Sequence, residues 1–323
     1  MISSITNKKV IYLDQFAVSE MIDKNLTDEW KEIKLLLLKG ADVDKLVCPT
    51  SSEHLIETVP KGFIDGSIHD KFFNHLSNGL TFKSELLVVT QLISSYIRKN
   101  NKTLNTYFHL QTKAVLSDKD NFDNLFAHNT KSKNLMEIDL KGTNQLRKAV
   151  GQNRSNHKTK NALYQVSKKI VVSKFSERLD DLLKNKQTTL RGDIIGETQI
   201  PNWIDSIIWR LLNVHKFKKK EIELFKNLLN RKGFDVIPTL DIRFSLKALI
   251  SLYSKNESFG DQIDISRIST GLPISDILFT DKKRKSEIVE LKLDQKYSTT
   301  ILSGKKEDLI WFINYLNKLL STL

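Results

Sequence analysis

The chain has 323 residues, of which 40% are hydrophobic and 28% charged, with 12 Gly, 5 Pro and a single Cys. This composition excludes a disordered chain, and the single cysteine excludes an internal disulfide and a thiolate zinc cluster. The net charge of +13 lies in the middle of the chain, because residues 61–255 carry +16 whereas residues 1–60 and 256–323 carry −3 and 0. That central excess either solubilises the protein or binds a polyanion beside an acidic site.

No run of about 20 apolar residues is present to span a bilayer, and the first residues lack the apolar segment of a signal peptide. The scarcity of Gly and Pro favours long helices over tight turns. We therefore expect a soluble, mostly helical protein with no membrane partner. A reducing, cytoplasmic location fits the single cysteine best.

The first elements in chain order are a strand, a helix, a second strand and a second helix. Residues 9–14, KVIYLD, form an apolar run that predicts a buried, central, parallel strand. Residues 16–39 show helical spacing and end at Gly40. A strand at 45–49 then precedes a helix capped within Thr50–Ser52 that carries Glu53, His54 and Glu57.

The middle of the chain, residues 61–255, is predicted to be a basic and mainly α-helical insertion. The helical patterns cover residues 83–99, 161–185, 203–214, 219–231 and 240–254. Between the first two lies the polar, basic stretch 143–161, which is either a mobile loop or an arm that contacts a nucleic-acid backbone. Its candidate nucleic-acid-binding residues are Arg147, Arg154 and Lys158.

The end of the chain returns to alternating strands and helices. A short helix reaches Gly271, and strands are predicted at 276–281 and 298–302. Helices are predicted at 286–296 and 306–320. Alternation at both ends predicts an α/β fold with one central parallel sheet. Residues 1–60 and 256–323 would then form one discontinuous domain around the insertion.

Four acidic side chains are expected to meet at one edge of this sheet. Asp14 and Asp281 each close a strand, Asp264 begins a helix, and Glu57 lies on the helix after the second strand. One pair of carboxylates at about 4 Å repels by roughly 4 kcal/mol at an effective dielectric near 20. Such a cluster requires protons or a hard cation such as Mg²⁺ or Mn²⁺. A cation held there would lower the pKa of a bound water, which is the chemistry of phosphodiester hydrolysis.

The segments YLDQFAVS, PTSSEHLIE, GDQIDIS and LPISDILFTD together resemble PIN-domain nucleases. The resemblance covers residues 8–60 and 256–323. It implies an α/β/α sandwich, a divalent metal, single-stranded RNA as substrate, and a toxin-like or phage-defence use. The metal-binding and catalytic residues carried over are Asp14, Glu57, Asp264 and Asp281. The chain departs from the family in its insertion of about 195 residues and in reading Thr280-Asp281 rather than Thr-x-Asp.

Several residues remain open as alternatives or neighbours of these acids. Asp261 and Glu53 compete with Asp264 and Glu57, whereas Asp276 precedes its strand and should be structural at the opposite sheet edge. His54 either contacts substrate or packs. The polar neighbours that would orient ligands or phosphate are Gln15, Ser19 and Thr280. The basic run that follows the site, either a solvated turn or a phosphate contact, is Lys282, Lys283, Arg284 and Lys285.

Three functions remain open at the level of sequence. The preferred one is a Mg²⁺- or Mn²⁺-dependent endoribonuclease. A second is a non-catalytic scaffold that binds nucleic acid or protein, and a third is a DNA nuclease with the same site, because nothing in the sequence reports recognition of the 2′-hydroxyl. A homo-oligomer or a partner protein also stays open.

Overall fold

A computed structural model describes residues 7–110, 157–185, 193–195, 198–200, 203–253 and 258–321. These residues form two compact units. Unit 1 comprises the described residues within Met1–Ser84, Thr103–Ser132 and Thr270–Leu323. Unit 2 comprises those within Glu85–Lys102 and Lys133–Ser269. Helices predominate, and the parallel sheet belongs to unit 1, so the protein is an α/β protein as predicted.

The elements follow one another in three stretches of chain. The first comprises β1 (Lys9–Tyr12), α1 (Gln15–Ile22), α2 (Asp28–Asp42), β2 (Leu46–Val47), β3 (Thr50–Ser51), α3 (Ser52–Thr58), a 3-10 turn (Val59–Lys61), α4 (Gly62–Ser77), β4 (Thr81–Phe82), α5 (Glu85–Ile97), α6 (Leu104–Tyr107) and β5 (Phe108–His109). The second comprises α7 (His157–Asn185), β6 (Asp193–Ile195), β7 (Thr198–Ile200), α8 (Trp203–Asn213), α9 (Lys219–Lys232), α10 (Pro238–Tyr253) and α11 (Phe259–Gly271). The third comprises β8 (Ile277–Phe279), α12 (Lys282–Glu290), α13 (Leu293–Tyr297), β9 (Thr300–Leu302) and α14 (Lys306–Ser321).

The central sheet has four parallel strands in the order β2-β1-β8-β9. Val10 pairs with Val47 on one side of β1, and Ile11 pairs with Ile277 on the other. The apolar run KVIYLD is therefore an inner strand, as its continuous hydrophobicity predicts. The described residues also form two smaller sheets, β3-β4-β5 in unit 1 and the antiparallel pair β6-β7 in unit 2.

Alternate residues of the inner strands face a core that α1, α2, α4 and α14 cover. On this face Ile11 and Leu13 of the first strand lie with Ile277 and Phe279 of the eighth. The intervening Tyr12 points to the other face, where its ring stacks on other aromatic side chains. Both faces of the sheet are thus buried, which explains why these strands show no polar alternation.

The first helical segment differs from the prediction, since residues 16–39 do not form a single helix. Helix α1 ends at Ile22, and α2 begins at Asp28 after Thr27 adopts an extended conformation and caps the Trp30 N–H. Asp28 and Glu29 in the first turn of α2 also favour a new helix start, because carboxylates stabilise a helix N-terminus. The apolar periodicity of the sequence continues across the break, so it predicts one continuous helix.

Gly40 does not stop α2, which continues to Asp42. A Cβ at Gly40 would lie 2.5 Å from Leu46 Cδ2 and 2.9 Å from Leu46 Cγ. The glycine therefore lets α2 approach β2 closely, and its role is packing rather than helix termination.

The predicted helix at 286–296 is also divided, into α12 and α13. Lys292 between them has a positive φ of 54° and breaks the helical path. The stretch predicted as a basic loop, 143–161, lies outside the described residues up to 156, and its last residues belong to α7. Within the described ranges, no helix is both long enough and apolar enough to act as a membrane span.

Unit 2 is a helical bundle with a buried polar network. The Arg243 guanidinium pairs with the Glu85 carboxylate, which also accepts a hydrogen bond of 2.6 Å from Ser269 Oγ. The guanidinium lies 4.6 Å from the Trp203 ring, which supplies a cation–π contact. Because an unpaired buried charge is costly, this network ties α5, α10 and α11 together.

The close approach at Gly40 predicts the effect of Gly40→Ala. Overpacking against Leu46 costs about 1–3 kcal/mol, against a gain of about 1 kcal/mol from replacing helical Gly by Ala. We expect the variant to lose about 0–2 kcal/mol in the free energy of unfolding, measured by urea denaturation, and to be about 1–3 kcal/mol less stable than a helical Gly→Ala variant without this overpacking. Gly260→Ala is the control, because among the described residues its added Cβ would meet nothing closer than 3.7 Å. Equal stability of the two variants would contradict the close approach.

Candidate functional site at the carboxyl edge of the sheet

The sheet has a switch point between β1 and β8. The chain runs from β1 outward to β2 and, later, from β8 outward to β9, so the connections leave in opposite directions. In open parallel sheets, ligands bind at the carboxyl ends of the strands where the order reverses in this way. The residues that follow β1 and β8 therefore form the candidate ligand site.

Both of these strands are followed by an aspartate that caps a helix. Asp14 caps α1 and accepts a hydrogen bond from the Phe16 N–H at 3.4 Å. Asp281 caps α12 and accepts from the Arg284 N–H at 2.8 Å. Tyr12 pairs with Leu278 in the neighbouring strand. Asp14 follows Tyr12 by two residues and Asp281 follows Leu278 by three, so the two aspartates differ by one residue in register. Asp14 is buried, with 6% of its surface exposed, whereas Asp281 is half-buried.

A cleft of about 480 Å³ opens beside Asp281. Its walls carry two carboxylates, two ammonium groups, two aromatic rings and a glycine, contributed by Asp281, Glu20, Lys282, Lys283, Phe16, Trp30 and Gly304. All of them belong to unit 1. The volume falls in the range of small-molecule sites, roughly 300–1,000 Å³.

Glu20 is the acid in this cleft that the sequence interpretation missed. It lies one turn after Phe16 on α1, and both side chains line the cleft. The spacing of four residues from Phe16 places both on one helix face. The sequence carries this signal in the spacing of Glu20 from Phe16, but it does not show that the helix face they share lies beside Asp281.

The predicted ligand Glu57 and its rival Glu53 lie on α3. Glu53 is buried, with 3% of its surface exposed, and Glu57 is half-buried. The negative charge of Glu57 acts on the ammonium of Lys61 and opposes the fall in its pKa that burial produces. Neither glutamate lines the cleft at Asp281.

The predicted ligand Asp264 and its rival Asp261 lie on α11, in unit 2. The Asp264 carboxylate pairs with Arg267, one turn later, at 2.5 Å. Asp261 accepts hydrogen bonds of 2.7 and 2.9 Å from the N–H and hydroxyl of Ser258, and its own N–H donates to Ser258 Oγ. Asp261 therefore completes a reciprocal cap with Ser258 at the start of α11. This is a structural role, and it is the alternative to metal binding for this residue.

In the described part of the chain, no three His, Cys, Asp or Glu side chains come together closely enough to hold a metal ion. The acids that do line one cleft are the pair Asp281 and Glu20. The role of Asp14, Glu57, Asp264 and Asp281 as a joint ligand set stays a prediction.

His54 is a buried residue with packing and hydrogen-bonding contacts. Its Nδ1 accepts from the Ser51 N–H at 3.1 Å, so Nε2 carries the proton and donates to the Leu13 carbonyl at 2.7 Å. Its ring stacks on Tyr12 at 5.3 Å and contacts Phe73 at 4.4 Å. These contacts hold α3 against the carboxyl end of β1, which favours the packing role over substrate contact.

The three polar neighbours occupy different surroundings. Gln15 Nε2 donates to Thr58 Oγ1 at 3.0 Å, and within the described residues its buried Oε1 has no hydrogen-bond partner. Thr280 is buried, and its N–H donates to the Leu302 carbonyl. Ser19 lies one turn after Gln15, and its hydroxyl contacts Lys61 at the end of the 3-10 turn and His69 on α4.

The basic run after β8 divides into two cleft residues and two structural ones. Lys282 and Lys283 are exposed and line the cleft. Arg284 is fully buried and pairs with Glu287, one turn later. Buried, paired charge is unavailable to a ligand.

Lys285 is also held inside the unit. Its ammonium donates to both carboxylate oxygens of Asp308, at 2.6 and 2.8 Å. Ser303 donates to the same carboxylate from its N–H and its hydroxyl, at 2.8 and 2.6 Å. Burial opposes ionisation of Asp308, but these hydrogen bonds outweigh it and lower the pKa of the carboxyl. Lys285 thus joins α12 to α14, and Ser303 joins α14 to the end of β9.

The other basic candidates lie in or beside the middle stretch. Arg147 and Arg154 are outside the described residues, and Lys158 lies in the first turn of α7, with its side chain outside them as well. Their predicted contact with nucleic acid stays a prediction.

Asp276 lies at the opposite edge of the sheet from Asp281, as its position before β8 predicts. Its carboxylate accepts from Lys9 Nζ at 2.7 Å and from the Val10 N–H at 2.9 Å. The hydrogen bond to Asp276 outweighs burial and raises the pKa of Lys9. Asp276 therefore aligns β1 with β8 and is structural.

No family model matches the chain, and no curated protein and no solved structure matches it. A functional conclusion therefore depends on the geometry of the chain's own residues.

The contacts of His54 predict the result of His54→Phe. Phenylalanine keeps the ring between Tyr12 and Phe73 but leaves the Leu13 carbonyl and the Ser51 N–H without their partner, each at about 1–3 kcal/mol. We expect a loss of roughly 2–6 kcal/mol in the free energy of unfolding by urea denaturation. His75→Phe is the matched control, since His75 is exposed and bonds only to Asp42 in the described residues. Wild-type stability of His54→Phe would argue against this role.

Proposed function

We propose that unit 1 is a PIN-like nuclease that hydrolyses phosphodiester bonds of single-stranded RNA with the help of Mg²⁺ or Mn²⁺. The observation that carries this proposal is the position of Asp14 and Asp281, which end the two strands at the switch point of a parallel sheet. Capping alone does not require an acid at both positions, because Ser, Thr and Asn cap helices equally well. The choice of RNA as substrate comes from the resemblance to PIN-domain nucleases.

The donors in the cleft fit a hard divalent cation. Asp281 and Glu20 offer carboxylate oxygens to the same space, and Mg²⁺ typically takes one or two carboxylates, several waters and substrate phosphate oxygens. When bound, the ion would supply a water of lowered pKa and neutralise charge on the phosphodiester. Asp14, which caps the helix that carries Glu20, belongs to the proposed set, and so does Glu57 of the same unit. The role of Asp264, which lies in unit 2, stays a prediction of the resemblance.

The other side chains of the cleft suit a nucleic-acid strand. Lys282 and Lys283 are exposed cations beside the acids, and they would bind and orient a phosphate. Phe16 is half-buried and would offer its ring to a base, an interaction that tolerates any sequence. Trp30, nearly buried, holds the Phe16 ring edge-to-face at 6.4 Å between ring centroids.

A cytoplasmic location and a toxin-like or phage-defence role form part of the same proposal. The location is supported by the single, buried cysteine, Cys48. The role is supported by the resemblance to a family that is often used in this way.

The proposal predicts that Asp281→Asn abolishes cleavage while the fold remains. Asn caps a helix as well as Asp does, so the variant should unfold at the wild-type temperature. Removal of a charge that acts on the reacting phosphate should lower the cleavage rate of single-stranded RNA by about 100-fold or more. Asp14→Asn should do the same.

Asp23→Asn is the control, because Asp23 is an exposed acid at the other end of α1. Matched RNA and DNA single strands, each assayed with Mg²⁺, Mn²⁺ and EDTA, distinguish the ribonuclease from a DNA nuclease. Full activity of both Asp14→Asn and Asp281→Asn would eliminate the acidic mechanism. RNA binding by the wild type with no cleavage in any metal would instead identify a non-catalytic scaffold.

Metal binding is tested separately by thermal unfolding. A cation that binds only the folded protein stabilises it by about 2.7 kcal/mol at 100 times its dissociation constant. Mn²⁺ or Mg²⁺ should therefore raise the melting temperature of the wild type, and EDTA should reverse the change. The shift should be absent in the double variant Glu20→Gln, Asp281→Asn; an equal shift in that variant would exclude the cleft as the metal site.

A further inference from the structure

A cluster of three polar side chains lies beside the cleft. Ser19 on α1, Lys61 at the end of the 3-10 turn and His69 on α4 all belong to unit 1. Lys61 Nζ lies 3.1 Å from Ser19 Oγ and 3.1 Å from His69 Nε2, and the last two atoms are 3.2 Å apart. The three polar atoms thus form a nearly equilateral triangle.

The hydrogen bonds define which atoms donate in this cluster. His69 Nδ1 lies 2.9 Å from the Asp65 carbonyl and donates to it, so Nε2 is left as an acceptor. The Lys61 ammonium donates to this nitrogen and to Ser19 Oγ, which uses two of its three N–H groups. In the described part of the chain no further hydrogen bond to Lys61 is formed, and the third N–H is available to a ligand.

Burial and nearby charges act in opposite directions on the pKa of Lys61, and burial has the larger effect. Burial lowers the pKa of Lys61, whereas the charges of Glu57 and Asp65 oppose that change. Burial also lowers the pKa of His69, so the imidazole remains a neutral acceptor. The result is an ammonium whose direction is set by two acceptors, although its side chain reaches solvent.

Such a cluster is better suited to binding an oxyanion than to nucleophilic catalysis. Ser19 lies inside α1, so its backbone N–H is used in the helix and cannot stabilise an oxyanion next to the hydroxyl. The Ser19 hydroxyl lies 3.2 Å from His69 Nε2 and can turn from it toward a ligand, because Lys61 also donates to that nitrogen and Oγ both donates and accepts. A phosphate oxygen accepts well from an ammonium and a hydroxyl together.

The cluster and the cleft lie on adjacent faces of the same helix. Ser19 and Glu20 are consecutive residues, and successive side chains of an α-helix are about 100° apart. We propose that Ser19, Lys61 and His69 form a second phosphate subsite that binds a backbone phosphate of the single strand whose scissile phosphate occupies the cleft. This inference rests on the proposed nuclease function and assigns binding residues to it.

The salt dependence of binding tests this subsite. Each phosphate neutralised on a single strand contributes about 0.7 to the slope of log affinity against log salt. In full-length protein with EDTA to prevent cleavage, Lys61→Met should reduce the slope for a fluorescent RNA 12-mer by about 0.7 and weaken binding about tenfold. Ser19→Ala should weaken binding with no change in slope.

Lys71→Met is the control, because Lys71 is an exposed lysine on α4 and the variant has the same net charge. Its slope should equal that of the wild type. Identical slopes for Lys61→Met and Lys71→Met, in a protein that binds and cleaves RNA, would overturn the subsite and leave the nuclease intact.

Binding of inorganic phosphate tests the anion site independently of the nuclease proposal. With EDTA present, line broadening of its ³¹P resonance by the wild-type protein should be weaker in Lys61→Met, where only the cleft lysines remain to bind phosphate, and unchanged in Lys71→Met. If the wild type fails to bind the RNA but shows this phosphate signal, the nuclease proposal fails while the anion site stands. Equal phosphate signals in all three proteins would overturn the site.

Discussion

The parallel pairing of β1 with β8 is the interaction on which the rest of unit 1 depends. It joins residues 266 positions apart, and the Asp276 carboxylate stabilises it by accepting from Val10 and Lys9. The entropic cost of closing so long a loop grows only slowly with its length. Burial of both faces of the sheet offsets that cost. As a result, two strand ends that are distant in sequence lie side by side at one edge.

The same local design is used at both of these ends. Each strand is followed by two residues in which the second is an aspartate, and that aspartate caps the next helix. The cap satisfies helix N–H groups that would otherwise lack partners. It also holds a carboxylate at the edge where ligands of parallel sheets bind. Folding and the proposed chemistry therefore use the same two side chains. Substitution of Asn for Asp distinguishes the two roles, because Asn keeps the helix cap but removes the charge.

Charge in this region is divided between structure and the proposed binding surface. Of the four basic residues after β8, Arg284 and Lys285 are held by carboxylates, whereas Lys282 and Lys283 are exposed beside Asp281. Lys61 combines features of both groups. Two neutral acceptors orient its ammonium, but they do not neutralise its charge. Positive charge in the sequence is thus a poor guide to binding until the partner of each residue is known.

The sequence by itself determined the α/β class, the inner strand at KVIYLD, the structural position of Asp276 and the strand-end positions of Asp14 and Asp281. These features follow from local patterns, namely apolar runs and the residues that end them. Only the tertiary structure decided that Gly40 serves packing, that Glu20 shares a cleft with Asp281, and that Lys61 meets Ser19 and His69. Each of these depends on which side chains are brought together from separate elements, and a linear pattern carries no information about such contacts.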